Sequence, residues 1–315
     1  MRAIVLDKKA AYVINRPEPE PKAGEALIRV RSAGVCATDL ELIKGYMGFK
    51  GVPGHEFCGV VSESSDKTLI NKRVAGEINI GCNRCDWCAS GRRNHCPDRQ
   101  VLGILDKDGV FAEYVTLPNE NLHILPDEIS DEEAVFIEPL GAAFEISEQV
   151  DVKGRDVCVL GDGRLGLLCA QALNLAGCRL TAIGRHAEKL AILEARGIKT
   201  RLGIEGLKKT FDVVVDCTGS DTGFDDALSL VRPAGTVVLK TTVATRQAVN
   251  LNQLVIDEIT VVGSRCGPFK PAIEALADKR VDVKGLIAKT FSIEDGVEAL
   301  EYAARKGVMK VLIKI

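Results

Sequence analysis

The sequence predicts an α/β fold, with a β-rich domain joined to a doubly wound parallel-sheet domain. Three observations lead there. The first half reads as short β-type runs separated by turns. From about residue 140, β-type runs alternate with helical patterns, the signature of βαβ units. Where that alternation begins, Gly161, Gly163 and Gly166 form G-x-G-x-x-G between an apolar run and an amphipathic one. A chain of 315 residues exceeds one ordinary core and suits two domains.

The elements follow in order. AIVLD, EALIRVRSAGV and GVVSE have β-type character, and the Pro-rich RPEPEPKAGE between the first two is a loop. KRVAGEI and FAEYVTL continue the strands. Then DVCVLG precedes the helical RLGLLCAQALNLAG, RLTAIG precedes HAEKLAILEARG, and FDVVVDCTG precedes TGFDDALSLVRPAG and GTVVLK. Gly177, Gly197 and Gly235 are expected to end the helices. The last stretch, PAIEALADKRV to VMKVLIKI, holds two helical patterns and a closing strand.

Composition narrows the function. The chain is 46% hydrophobic and 27% charged, with 41 basic and 44 acidic residues and a net charge of −3. No basic surplus points to nucleic acid or an anionic membrane. No apolar run approaches the roughly 20 residues of a membrane span. The N-terminal apolar stretch reads as a strand and lacks the longer core and cleavage site of a signal peptide. The expectation is a cytoplasmic protein with a small-molecule substrate.

A reducing compartment disfavours disulfides, so closely spaced cysteines favour metal. Cys82, Cys85, Cys88 and Cys96 give C-x2-C-x2-C-x7-C, four of the chain's 11 cysteines. Four thiolates saturate a tetrahedral Zn²⁺ and leave no position for substrate, which makes the site structural. Gly81 and Gly91 allow tight turns, and Arg84, Arg92 and Arg93 can offset thiolate charge. Free surface thiols, a redox C-x-x-C and an iron–sulfur cluster are the rival readings. Cys158, Cys169, Cys178 and Cys217 lie in apolar runs and suit packing.

A second, open site is spread over three fragments. GVCATD supplies Cys36, Thr38 and Asp39, PGHEFCG supplies His55 and Glu56, and FIEPLGAAFE supplies Glu138. A thiolate, an imidazole and carboxylates can hold Zn²⁺ with one exchangeable position, as catalysis requires. Each fragment alone also fits plain packing or an exposed helix start. Of the chain's four histidines, His123 sits in a strand-like run and His186 beside the expected cofactor, which leaves His55 as the ligand.

The glycine motif sits in strand–turn–helix context, where it binds a dinucleotide. Gly161 makes the turn, Gly163 admits the pyrophosphate, and Gly166 lets helix and strand approach. Arg164 and Leu165 belong to the same loop, and Thr218 follows a later strand. An NAD enzyme ordinarily ends the next strand with an acid for the ribose 2′-hydroxyl. Here Gly184 and Arg185 stand there, with His186 and Lys189 nearby. A small residue and a guanidinium suit a 2′-phosphate, so NADP(H) is expected over NAD(H). The rival is an Arg185 stacked on adenine in an enzyme of mixed preference.

Taken together and in this order, GVCATD, PGHE, the four-cysteine lobe, EPLGAA and GDGRLG resemble the zinc-dependent medium-chain dehydrogenase/reductase family over nearly the whole chain. That family includes alcohol, polyol, glucose and threonine dehydrogenases. The resemblance implies a GroES-like catalytic domain from both chain ends, 1–137 and 271–315, with the zinc lobe near 81–97. It implies a Rossmann domain over 138–270, an active site in the cleft, two zinc ions and a homodimer or homotetramer. By the same resemblance Cys36, His55 and Glu138 match catalytic-zinc ligands, and Glu56 adjoins the metal. Asp39 orients His55, and Thr38 takes the substrate's proton. Where many relatives have a relay histidine this chain has Glu41, so either Glu41 or water completes the relay. The expected activity is hydride transfer between an alcohol or polyol and NADP(H). A non-catalytic zinc and NADP-binding protein, and a lyase or epimerase using NADP as transient oxidant, are the alternatives.

Overall fold

The structure is a computed structural model describing residues 1–240 and 249–315. The chain divides into two compact units, Met1–Glu138 with Ile273–Ile315, and Pro139–Ala272.

The second unit is built on a six-stranded sheet, parallel throughout. Its strands run in the order Thr200–Leu202, Arg179–Gly184, Asp156–Leu160, Phe211–Asp216, Val231–Leu239 and Thr260–Gly263. Numbered along the chain, that order is 3-2-1-4-5-6, the doubly wound arrangement that binds dinucleotides beyond the strand ends. The central strands are Val- and Ile-rich because both faces are covered. Cys158, Leu160, Ile183, Val214 and Val237 are buried in one cluster with Phe211, Phe224 and Leu228. Cys158, Cys169 and Cys217 are buried as packing residues, while Cys178 is only partly covered.

Two of the three expected glycine stops hold. Gly177 and Gly197 follow the helices Arg164–Leu175 and Ala187–Glu194 with φ of 76° and 72°. Gly235 does not end a helix. The helix Gly223–Leu230 gives way directly to the strand Val231–Leu239, and Gly235 lies inside that strand. Pro233 and Ala234, the latter at φ 58°, turn the chain there instead. The edge strands Thr200–Leu202 and Thr260–Gly263 lie outside the sequence expectations. Both are short and mostly exposed, so their residues lack a buried strand's apolar run.

In the first unit, one mixed sheet joins the two ends of the chain. The strand Glu25–Val35 lies between Glu56–Ser64 and the C-terminal strand Lys310–Lys314, antiparallel to both, and also pairs with Tyr114–Pro118. Arg73–Gly76 and Leu122–Ile124 extend one side, and Ile287–Ser292 pairs parallel with the C-terminal strand on the other. Ala3–Leu6 and Ala10–Val13 form a separate hairpin. Gly54, at φ 97°, needs its glycine twice over, since a Cβ there would lie 2.6 Å from the Phe111 ring. Its neighbour His55 is thereby carried into the interior. Among the described residues, no helix is long and apolar enough to cross a membrane.

Candidate metal and cofactor sites

Cys36 stands where the strand Glu25–Val35 ends and the helix Ala37–Ile43 begins. The Cys36 backbone N–H donates to Asp39 Oδ2 at 2.8 Å, which fixes the first turn. Asp39 is fully buried. Its Oδ1 accepts the Gly54 N–H at 3.1 Å and faces His55 Nδ1 at 3.4 Å. One carboxylate thus ties the cysteine loop to the histidine loop. Among the described residues, His55 Nδ1 is buried with no hydrogen bond of standard geometry. Its 3.4 Å approach to Asp39 Oδ1 sets the ring beside that carboxylate. Burial works against a charged imidazole, yet Asp39, with the Cys36 sulfur, holds His55 well above the usual histidine range. A bound metal would displace that proton, since only the neutral ring ligates.

Cys36, His55 and Glu56 each offer a ligand atom within 4.8 Å of the other two. A thiolate, an imidazole and a carboxylate so placed fit Zn²⁺ with an open position. The Thr38 hydroxyl lies 3.8 Å from the Cys36 sulfur. Glu138, expected beside them, opens the helix Ile137–Gln149 and stands outside that grouping. Glu41 is turned to Lys44, which donates to it at 2.7 Å on the exposed side of the helix.

Glu56 has a partner that sequence reading missed. Lys310 Nζ donates to Glu56 Oε2 at 2.5 Å, and both side chains are almost fully buried. The sheet explains the encounter. Glu56 pairs with Gly34, and Val311 pairs with Val35 on the other side of the same strand. A Cβ on Gly34 would stand 2.6 Å from Glu56 Oε2. The glycine therefore makes room for the carboxylate, and the lysine reaches it across the strand.

The four-cysteine lobe is compact. Cys82, Cys85, Cys88 and Cys96 place their sulfurs within 4.8 Å of one another. Thiolates 2.3 Å from a shared tetrahedral zinc stand roughly 3.8 Å apart, and Cys85 and Cys96 are 3.7 Å apart. The donor set fits a saturated zinc. Cys85 caps the short helix Asp86–Ala89, and the Cys82 N–H donates to the Cys96 sulfur. The Arg84 backbone N–H outweighs desolvation and, with Cys96 and Cys85, draws the Cys82 thiol down to about 6. Of the three arginines near the lobe, Arg84 faces Cys82 and Asp98. Arg93 instead pairs with Glu120, and Arg92 stacks over Trp87. His95 packs against the same Trp87 ring. His123 Nε2 donates to Glu77 Oε1 at 2.8 Å, a structural role.

In the other unit, each motif glycine has its own reason. Gly161 has φ 118°, and a Cβ there would lie 2.7 Å from the Cys217 carbonyl oxygen. A Cβ on Gly166 would lie 2.0 Å from the Gly161 oxygen, so strand and helix touch through it. Gly163 faces open space, and the helix Arg164–Leu175 starts immediately after it with Arg164 and Leu165. Amides at a helix start facing open space fit a pyrophosphate. Thr218 gives both its N–H and its hydroxyl to Asp216 Oδ1, at 2.9 and 2.7 Å, and so shapes the neighbouring turn. Gly184 ends its strand and Arg185 is exposed beyond it, with His186 and Lys189 half-buried. A further residue stands here that sequence reading passed over. Asp162, inside the glycine loop, binds the turn at Arg185 and His186.

Residues 22–127 match the alcohol dehydrogenase GroES-like domain, and residues 165–279 match the zinc-binding dehydrogenase domain. A protein of Arthroderma otae named "Probable D-xylulose reductase A" is 31% identical over 95% of this chain and 92% of its own length. A protein described as "a putative zinc-binding dehydrogenase" from Sinorhizobium meliloti 1021, bound to NADP, superposes with a TM-score of 0.90. It is 27% identical and covers 100% of this chain and 99% of its own. A short chain alcohol dehydrogenase from E. coli CFT073, complexed with NADH, also gives a TM-score of 0.90, at 26% identity and the same coverage. With this fold, these two clusters of metal-ligating side chains and this glycine loop, the chain belongs to the zinc-dependent medium-chain dehydrogenase/reductase family.

Proposed function

We propose that the protein transfers hydride between an alcohol or polyol, or its carbonyl product, and NADP(H). The observation that carries this is the Cys36–His55–Glu56 cluster, its histidine and glutamate buried and its cysteine half-buried, with the Thr38 hydroxyl beside it. Zinc, when bound, polarises the substrate oxygen, and the nicotinamide accepts or gives the hydride. Thr38 takes the alcohol's proton and passes it to water, because Glu41 is engaged with Lys44. Asp39 holds the His55 ring and the Cys36 turn in register. Lys310 balances the charge of Glu56, with both side chains almost fully buried. Glu138 completes the donor set by the family pattern. The cysteine lobe holds a second, structural zinc.

NADP(H) preference is our reading of Gly184, which bears no acid, and of the exposed Arg185 beyond it. We also read the protein as a homodimer or homotetramer. The edge strand Thr260–Gly263 and the helix Leu251–Ile256 belong to one unit, and Leu251, Val255 and Ile256 are 64, 76 and 78% exposed. A second copy would cover this apolar surface. Light scattering tests it, and a monomer at micromolar concentration would refute it. The activity itself is tested by Thr38→Val. The variant should keep its zinc and its fold and lose most turnover. Full turnover would overturn the role given to Thr38.

A further inference from the structure

The strand end that ordinarily carries an acid for the ribose 2′-hydroxyl carries Gly184, yet a carboxylate stands there all the same. Asp162, between the first two glycines of the loop, directs its side chain to the neighbouring strand end. A Cβ added to Gly184 would lie 2.4 Å from Asp162 Oδ2, so the glycine is what admits the carboxylate. Oδ2 accepts the N–H groups of Arg185 and His186 at 2.6 and 2.7 Å. Both carboxylate oxygens lie 3.1 Å from His186 Nδ1. The Asp162 side chain is only 10% exposed. Burial pushes its carboxyl up, but the His186 ring and the two amides outweigh this and hold it below the usual range. It is therefore charged at neutral pH.

This arrangement has two consequences for a cofactor's 2′-position. The two turn amides form a seat for an anion, and the chain's own carboxylate already fills it. A 2′-phosphate is left to the side chains of Arg185, His186 and Lys189. The carboxylate also sets a negative charge at the base of Arg185, where a second anion is disfavoured.

We propose that Asp162 is a specificity-determining residue of the cofactor site. It takes the place of the absent strand-end acid and holds the NADP(H) preference below what Arg185 alone would give. The inference rests on the reading of the Gly161–Gly166 loop as a dinucleotide site.

Equilibrium titrations of NADPH and NADH fluorescence, run on the wild type and Asp162→Asn, test it. Asparagine keeps a carbonyl oxygen for the two amides and removes the charge. The ratio of the NADH to the NADPH dissociation constant should rise roughly threefold to tenfold, as one screened unit charge allows. An unchanged or lower ratio overturns the inference. That includes the case in which both cofactors weaken alike, the result of a merely structural side chain. If Asp162→Asn does not fold, Asp162→Ser removes the same charge and carries the same expectation. Wild-type protein that binds neither cofactor would overturn the dinucleotide reading itself. Binding with an unaltered ratio overturns only the role of Asp162.

Discussion

Lys310 and Glu56 form a buried ion pair, 2.5 Å from Nζ to Oε2, between residues 254 positions apart. Lys310 also lies 3.5 Å from the Val35 carbonyl oxygen and 5.7 Å from the centre of the Phe136 ring. No solvent screens either charge, so each depends on the other. The pair also links the C-terminal strand to the histidine loop, which makes the closing strand part of the site.

Removing one partner should therefore harm more than removing both. Lys310→Met leaves Glu56 buried without its cation and should cost about 3–5 kcal/mol of stability in metal-free protein. Adding Glu56→Gln should recover a substantial part of that loss. Urea denaturation of the two single variants and the double variant measures the coupling. Strictly additive losses would show that the pair contributes nothing of its own.

The two ligand clusters should separate by variant. Cys36→Ser should lose one of two zinc ions and most turnover, with its melting temperature near that of the wild type. Cys85→Ser should lose the other zinc and destabilise the lobe around residues 82–96. Metal analysis and thermal melts check both. Full activity of Cys36→Ser in zinc-replete buffer would sink the ligand assignment.

Arg185→Ala should weaken NADPH binding by about tenfold or more and NADH binding little, as a charged hydrogen bond to phosphate requires. Dissociation constants from fluorescence titration read this directly. Equal weakening of both would refute a role on the 2′-phosphate.

Glu133 should make stability depend on acid. Its side chain is 8% exposed and accepts from the Ser130 N–H at 2.9 Å and from Lys279 at 3.1 Å. Burial raises its pKa, but the Ser130 amide and Lys279 outweigh this and bring it below its ordinary value of 4.5. A carboxylate lowered on folding stabilises above its unfolded pKa, and that contribution fades as pH falls through the folded one. Glu133→Gln should then cost roughly 1–2 kcal/mol at neutral pH and progressively less at acid pH, as the folded-state carboxylate protonates. Denaturation curves at neutral and acid pH test it, and a pH-independent cost would contradict it.

What the sequence made legible follows from distance along the chain. The four lobe cysteines lie within 15 residues, so spacing alone shows the cluster. Gly161, Gly163 and Gly166 were readable because a strand and a helix flank them within one βαβ unit. The open site was harder. Cys36 and His55 meet only because two antiparallel strands align, and family order rather than spacing singled them out. Lys310 was out of reach, since nothing local marks a strand-opening lysine as the partner of Glu56. Asp162 was in plain view inside the motif, yet the motif fixes only its glycines. Its target, the amides of Arg185 and His186, is set by strand pairing between Asp156–Leu160 and Arg179–Gly184. Gly235 misled because a proline-turned strand start resembles a helix stop.

Zinc-dependent hydride transfer to NADP⁺ is the activity on which the other proposed roles depend. The most direct measurement is the appearance of NADPH absorbance with a panel of polyols, sugars, amino alcohols and simple alcohols. Each is run with NADP⁺ and with NAD⁺, with and without a zinc chelator. Turnover is expected with at least one alcohol or polyol, faster with NADP⁺ and abolished by the chelator. Turnover that survives complete loss of zinc would contradict it, as would silence across the panel in protein shown to hold two zinc ions and bind NADPH.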